Sequence, residues 1–183
     1  MKQLFAVIAL LLCLSIVMAA PMYAQSNAYN KGDKVVSLGI GYGIAGLYGS
    51  SGMPPVSLGF DYGLDVPKIS VGGIVAYASS SDDFGDGYSW KYTYILVGAR
   101  GAYHFLEDNK NIDAYGGLLL GYNIVSASWN GKLSQPVFSS ASASYMVFGV
   151  FVGGRYYFSQ KFGAFAELGY GAGFITAGIS YKL

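Results

Sequence analysis

Charge is scarce in this chain: only 11% of its 183 residues are charged, which excludes a disordered segment, a coiled coil and an ordinary soluble helical bundle. The formal net charge of +1 leaves no electrostatic footprint for nucleic acid. Cys13 is the only cysteine, so no disulfide framework is available. After residue 20 no run of 18 apolar residues occurs, and a transmembrane helix is excluded there. Glycine and tyrosine are abundant instead, 27 and 17 residues, within a composition that is 53% hydrophobic. The length suits one domain. Together these features leave an all-β protein, a membrane protein, or both.

The first segment reads as an export signal. Lys2 gives a basic start, Leu4 to Ala20 is apolar apart from Ser15, and Pro21 to Ala24 ends the run with a helix breaker and a small residue. The alternative is an uncleaved membrane anchor, for which this run is at the lower length limit. Cleavage is expected after Ala24, with Ala19 and Ala20 as other sites. The expected division is 1–24 signal peptide, 25–32 N-terminal lead and 33–183 barrel. Cys13 leaves with the signal, preceded by Leu11 and Leu12 where a lipidation site wants small residues. The processed chain then has ten basic and ten acidic residues.

The dominant pattern is alternation with period two, the signature of strands with unlike faces. Val36, Leu38, Ile40 and Tyr42 alternate with Ser37, Gly39 and Gly41; Leu58, Phe60 and Tyr62 alternate with Gly59, Asp61 and Gly63. Similar runs begin near Ile69, Ile95, Ala114, Met146, Phe162 and Phe174, which predicts eight strands. Their connections alternate in length. Asp65 to Lys68, Glu107 to Asn111 and Ser159-Gln160 are short; Gly49 to Pro54, Ser79 to Trp90 and Asn130 to Ser140 are longer, and Gly171 to Gly173 is a tight turn. An up-and-down transmembrane barrel has this rhythm, with brief periplasmic turns and extended outer loops.

A soluble ligand-carrying barrel would also alternate, but with its apolar parity inside. Here the other parity is mostly Gly, Ala and Ser, a poor aqueous surface and a good lining for a narrow lumen. The apolar parity is therefore expected to face lipid. Aromatic residues gather at strand ends: Tyr48, Tyr77, Trp90 and Trp129 toward the long loops, and Tyr62, Tyr103, Phe105, Tyr156, Phe158 and Phe162 toward the short turns. Rings favour the headgroup boundary, although Tyr and Phe also suit strands in general.

The C-terminal run Ile175, Ala177, Ile179, Tyr181 and Leu183, together with Gly163 to Gly171 and the closing Gly-Ile-Ser-Tyr-Lys-Leu, resembles the small outer-membrane β-barrel proteins of the porin-like superfamily in Gram-negative bacteria. The resemblance implies an eight-stranded antiparallel barrel in the outer membrane with both termini periplasmic. It also implies contact with outer-membrane lipid and lipopolysaccharide, and a last strand, Ile175, Ile179, Tyr181 and Leu183, presented to the outer-membrane assembly machinery. Such chains usually end in Phe, and this one ends in Leu183. With no evident polar or flat outer patch, a monomer is expected.

Four ionisable residues fall on the inward parity: Asp61, Arg100, Arg155 and Glu167. Each is roughly four to six residues from a short turn, and at about 3.3 Å of rise per residue they are expected to share one layer as a neutral, bridged cluster. An interior of this size is filled by side chains, so passage of solutes is not expected.

No Gly-x-Ser-x-Gly, HExxH or Walker sequence occurs. Barrel enzymes that act on lipid need a histidine near the outer leaflet, whereas His104 falls beside a short turn. It is read as an interfacial residue bonded to nearby backbone. Asp82, Asp83 and Asp86 lack the spacing of a calcium loop and are read as a solvated tip. With Trp90, Trp129 and Phe138 they mark the rim where a loop contact would form, unless the rings belong to the girdle. No catalytic residue, cofactor or metal is assigned. The leading function is a non-enzymatic scaffold with recognition in its loops or a role in envelope integrity. A narrow pore or lateral path for small solutes is the alternative, and a lipid-modifying enzyme the third choice.

Overall fold

The computed structural model describes residues 27–43, 52–66, 68–83, 89–106, 109–130 and 141–183, with backbone alone at 82–83, 90, 129–130 and 141–142. The expected signal peptide, Gln25, Tyr48, Asp86 and Phe138 lie outside the described residues. Eight strands follow in order: β1 (Lys34–Tyr42), β2 (Val56–Gly63), β3 (Ile69–Asp83), β4 (Ser89–His104), β5 (Ile112–Asn130), β6 (Ala141–Tyr157), β7 (Phe162–Tyr170) and β8 (Ile175–Lys182). Each pairs antiparallel with the next, and β8 pairs with β1, so the barrel is closed, and only the upper parts of β3 and β6 rise past their shorter neighbours β2 and β7.

The registers fix its shape. From Ile40 the pairing passes through Val56, Tyr77 and Ile95 to Ile124; in the other direction it passes through Ala177, Ala166 and Gly154 to Ala114. The two routes meet β5 ten residues apart, and a stagger of that size tilts eight strands by about 40°.

Side-chain direction follows the alternation. Leu38, Ile40, Leu58, Phe60, Val75, Val97, Leu118, Leu120, Phe148, Val150, Leu168 and Ile179 are exposed on the outer wall, while Ser37, Asp61, Ser70, Ala76, Leu96, Arg100 and Leu119 are buried in the lumen. Tyr62, Tyr103, Phe105, Tyr156 and Phe162 ring the turn end of the outer wall. Ile175 and Ile179 of β8, and Leu183 just after it, are also exposed, and the Leu183 amide donates to the Lys34 carbonyl at 2.9 Å.

The wall has two heights. β3 to β6 contain 15, 16, 19 and 17 residues, against 8 or 9 in β7, β8, β1 and β2. The segment read from sequence as a loop, Ser79 to Trp90, is largely strand, since β3 runs on to Asp83 and β4 begins at Ser89. Above Tyr77, Ile95, Ile124 and Met146 the outward positions change to Ser79, Ser81, Thr93, Lys91, Ser126, Ser128 and Ser144. The tall half thus passes from an apolar belt into a hydroxyl-rich collar. At the low side, β1 ends at Tyr42 and Gly43 turns the chain at φ 69°. Gly171, at φ 121°, does the same between β7 and β8, a backbone that only glycine adopts without strain.

Candidate functional site

The lumen is filled differently at its two ends. Toward the loops, Ile74, Ala76, Leu96, Leu119 and Val147 form a small apolar core, with Ala172 packed against it. These residues sit on the inward parity, where the sequence pattern is noisier because both faces of the strand are apolar.

Toward the turns, polar side chains take over. Asp61, Gly72 and Arg100 are successive partners in one row across β2, β3 and β4, and Gly72 has no side chain to keep the other two apart. Arg100 Nε lies 3.2 Å from Asp61 Oδ1, and Arg100 Nη2 donates to Glu167 Oε1 at 2.7 Å. Arg155 Nη2 bonds Asp61 Oδ2. The structure therefore brings Asp61, Arg100, Arg155 and Glu167 together in one layer. The guanidinium of Arg100 lies over the Phe151 ring and that of Arg155 over the Tyr115 ring, 4.1 and 4.5 Å from the centroids. Tyr115 Oη donates to Glu167 Oε1 at 2.8 Å. Gly153 makes room for this contact, since a Cβ there would lie 2.7 Å from Glu167 Cγ and 3.0 Å from Tyr115 Cζ.

The network extends beyond those four residues. Asp113, paired in register with Arg155, places Oδ2 3.6 Å from Arg155 Nη1. Its other oxygen, Oδ1, is 2.7 Å from His104 Nδ1, and His104 Nε2 is 2.9 Å from Ser70 Oγ. The geometry follows from register: Ser70 pairs with Ala102, two residues from His104, and His104 pairs with Tyr115, two residues from Asp113. Such diagonal neighbours are within reach of a long side chain. A continuous polar chain thus runs from Glu167 through Arg100, Asp61, Arg155, Asp113 and His104 to Ser70. It contains three carboxylates and two guanidinium groups, where the sequence suggested two of each.

His104 departs from its sequence reading as an interfacial residue. Its amide does bond backbone, donating to the Lys68 carbonyl at 2.7 Å, but its ring points into the lumen, is 1% exposed and bonds two side chains. Asp113 escapes the sequence pattern because the readable alternation begins at Ala114, one residue beyond it. Extending the inward parity two residues down from Tyr115 would have found it.

The N-terminal lead closes this end. The Tyr29 ring stacks on His104 at 3.7 Å between centroids, and its hydroxyl donates to the Ile69 carbonyl at 2.6 Å. The Ala28 amide donates to the Asn109 carbonyl, and Lys182 Nζ, itself over the Tyr157 ring, reaches Asp33 Oδ2 at 2.8 Å and the Asn27 carbonyl at 3.2 Å. Burial raises the Tyr29 phenol above its ordinary range, helped by the nearby charges of Asp113 and then Asp33. Above the charged layer and beside the loop-side core a partly open void of about 30 Å³ remains, bordered by Ser57, Ile74, Glu167 and Thr176 and reaching Pro55 and Tyr170. That is room for a water molecule or two.

At the rim, the backbone registers place Asp82 opposite Trp90 and Trp90 opposite Trp129; their side chains, with that of Asp83, lie outside the described residues. Among the described residues no group of three His, Cys, Asp or Glu side chains is placed to hold a metal ion.

No protein-family description and no curated protein matches this chain. Its fold is similar to the N-terminal β-barrel domain of Pseudomonas aeruginosa OprF, with 14% identity over 85% of this chain and 100% of that one and a TM-score of 0.56. It is likewise similar to Ail, the attachment invasion locus protein of Yersinia pestis, solved in complex with the heparin analogue sucrose octasulfate. There the identity is 16%, the coverage 84% of this chain and 100% of that one, and the TM-score 0.56. At such identities the likeness concerns the fold, an eight-stranded closed antiparallel barrel.

Proposed function

We propose that this chain is a closed, non-conducting barrel of the Gram-negative outer membrane that works as a scaffold, with recognition at its loop-end rim or a part in envelope integrity. Both termini face the periplasm in this reading. The belt of exposed Leu, Ile, Val and Phe supports membrane insertion, because a contiguous apolar surface of this extent is untenable in water. The hydroxyl-rich collar above it supports a tall half that stands clear of lipid. Its partners would be outer-membrane lipid and lipopolysaccharide, the assembly machinery that receives the strand ending at Leu183, and an external ligand held by the rim. The barrel acts alone, as a monomer.

The observation that carries the reading is the filled lumen. The guanidinium layer spans it and the lead caps one end, which also disfavours a pore or lateral path. Ail's sulfated ligand is not transferred to this chain: residues 79–92 and 126–145 contain Asp82, Asp83 and Asp86 against Lys91 and Lys132, a poor surface for a polyanion.

The test is conductance in planar bilayers, on protein whose folding is verified by heat-modifiable gel mobility. Silence is expected from the native chain. Stepwise openings from the folded native chain would overturn the scaffold reading in favour of the pore.

A further inference from the structure

A scaffold needs its lumen filled, but it does not need a serine, a histidine and a carboxylate in relay order. We propose that Ser70, His104 and Asp113 form an acyl-transfer relay at the turn end of the lumen, and that the N-terminal lead is its removable lid. When the lead moves aside, Ser70 becomes a nucleophile toward small esters. This goes beyond the scaffold reading and does not rest on it.

Three observations carry the inference. The distances, 2.9 Å from Ser70 Oγ to His104 Nε2 and 2.7 Å from His104 Nδ1 to Asp113 Oδ1, are those of a nucleophile on its base and a base on its orienting carboxylate. The charge count comes second. Three carboxylates share two guanidinium groups, and Asp113 reaches Arg155 only at 3.6 Å, so Asp113 keeps its other oxygen for His104. Third is the lid. Ser70 is 2% exposed with Tyr29 stacked on its base, and among the described residues the lead that covers them is held by an aromatic stack, the Lys182–Asp33 ion pair and hydrogen bonds to Gly63, Ile69 and Asn109.

The chemistry balances without a cofactor. Ser70 Oγ attacks the ester carbonyl carbon while its proton passes to His104 Nε2. The C–O bond to the alcohol then breaks, and the alcohol leaves with that proton. Water, deprotonated by the same nitrogen, releases the acid and restores Ser70.

The test uses the folded full-length protein in detergent, a small alkyl fluorophosphonate, and mass spectrometry of the peptide containing Ser70. Labelling forms Oγ–P, breaks P–F and releases fluoride. Lid opening is read in parallel as tryptic cleavage at Lys31. In the native chain both are slow. Tyr29→Ala, and separately Lys182→Met, should speed both cleavage at Lys31 and labelling at Ser70. Adding Ser70→Ala should abolish the label, and adding His104→Gln should slow it about 100-fold or more, the contribution of a positioned base. The proposal fails if neither variant frees Lys31, if Lys31 is freed and Ser70 stays unlabelled, or if labelling survives His104→Gln.

Discussion

The two ends of the lumen solve one packing problem with opposite chemistry. At the loop end, Ile74, Leu96, Leu119 and Val147 fill space by shape, and each contact reaches only its neighbours. At the turn end, Asp61, Arg100, Arg155, Glu167 and Asp113 fill it with charges that stabilise the fold only as a set, since each one alone is costly away from water. The comparison teaches that the two ends fail differently. An apolar core loses stability in proportion to the volume removed, whereas a charged layer loses most when one sign is deleted and its partners remain.

The largest effect is therefore expected at Arg155. Its side chain is 3% exposed and serves both Asp61 and Asp113, so Arg155→Ala leaves two buried carboxylates short of a partner. A loss of about 3–5 kcal/mol is expected in urea unfolding of the refolded barrel. A loss under about 1 kcal/mol would mean that water already hydrates each charge separately, and that the network is not a structural unit.

Leu119→Ala probes the other end. Leu119 is buried between Leu96 and Val147 and borders the lumen void, so truncation enlarges an existing space in a wall that cannot collapse. About 3 kcal/mol is expected from the same titration. The sharper measure is the response of each variant to conservative repair: Leu119→Met should recover most of the loss, as volume is nearly kept. Arg155→Lys should recover less, because an ammonium does not reproduce the fork that bridges two carboxylates. Equal recovery at both ends would erase the distinction.

How much of this was legible before the structure depends on how far two-residue alternation reaches. Leu38 against Gly39, or Phe60 against Asp61, states the outward face directly, and the eight strands and their short turns follow from that contrast. The contrast fades where lumen residues are themselves apolar, as at Leu96 and Leu119, and that end of the lumen was read only as filled. It also fades past the belt, where Ser79, Ser81 and Thr93 look like loop residues but remain in the ladder to Asp83 and Ser89. Asp61, Arg100, Arg155 and Glu167 were visible as inward charges because each interrupts a run of small residues. The branch through Asp113 and His104 to Ser70 was not, since it depends on diagonal neighbours whose offsets are set by the register of three strands. The lead was least legible, as no periodicity announces that Tyr29 will stack on a histidine 75 positions later.

The smallest effect separates the lead from the wall it caps. Tyr29→Phe keeps the stack on His104 and removes the hydroxyl that donates to the Ile69 carbonyl, a loss of about 1 kcal/mol at neutral pH. The phenol is held above its ordinary value by burial, then by Asp113 and Asp33, so the fold favours its neutral form. Its contribution is then fully present below the unfolded phenol value, about 10, and is lost as pH rises through the higher folded value. The remaining tyrosines are common to both proteins. The stability gap between the native chain and Tyr29→Phe should hold from pH 7 to about 10 and close above it. A gap that stays constant into strong alkali would mean that the phenol ionises without disturbing the lead, and that the cap is held by Lys182 and Asp33 instead.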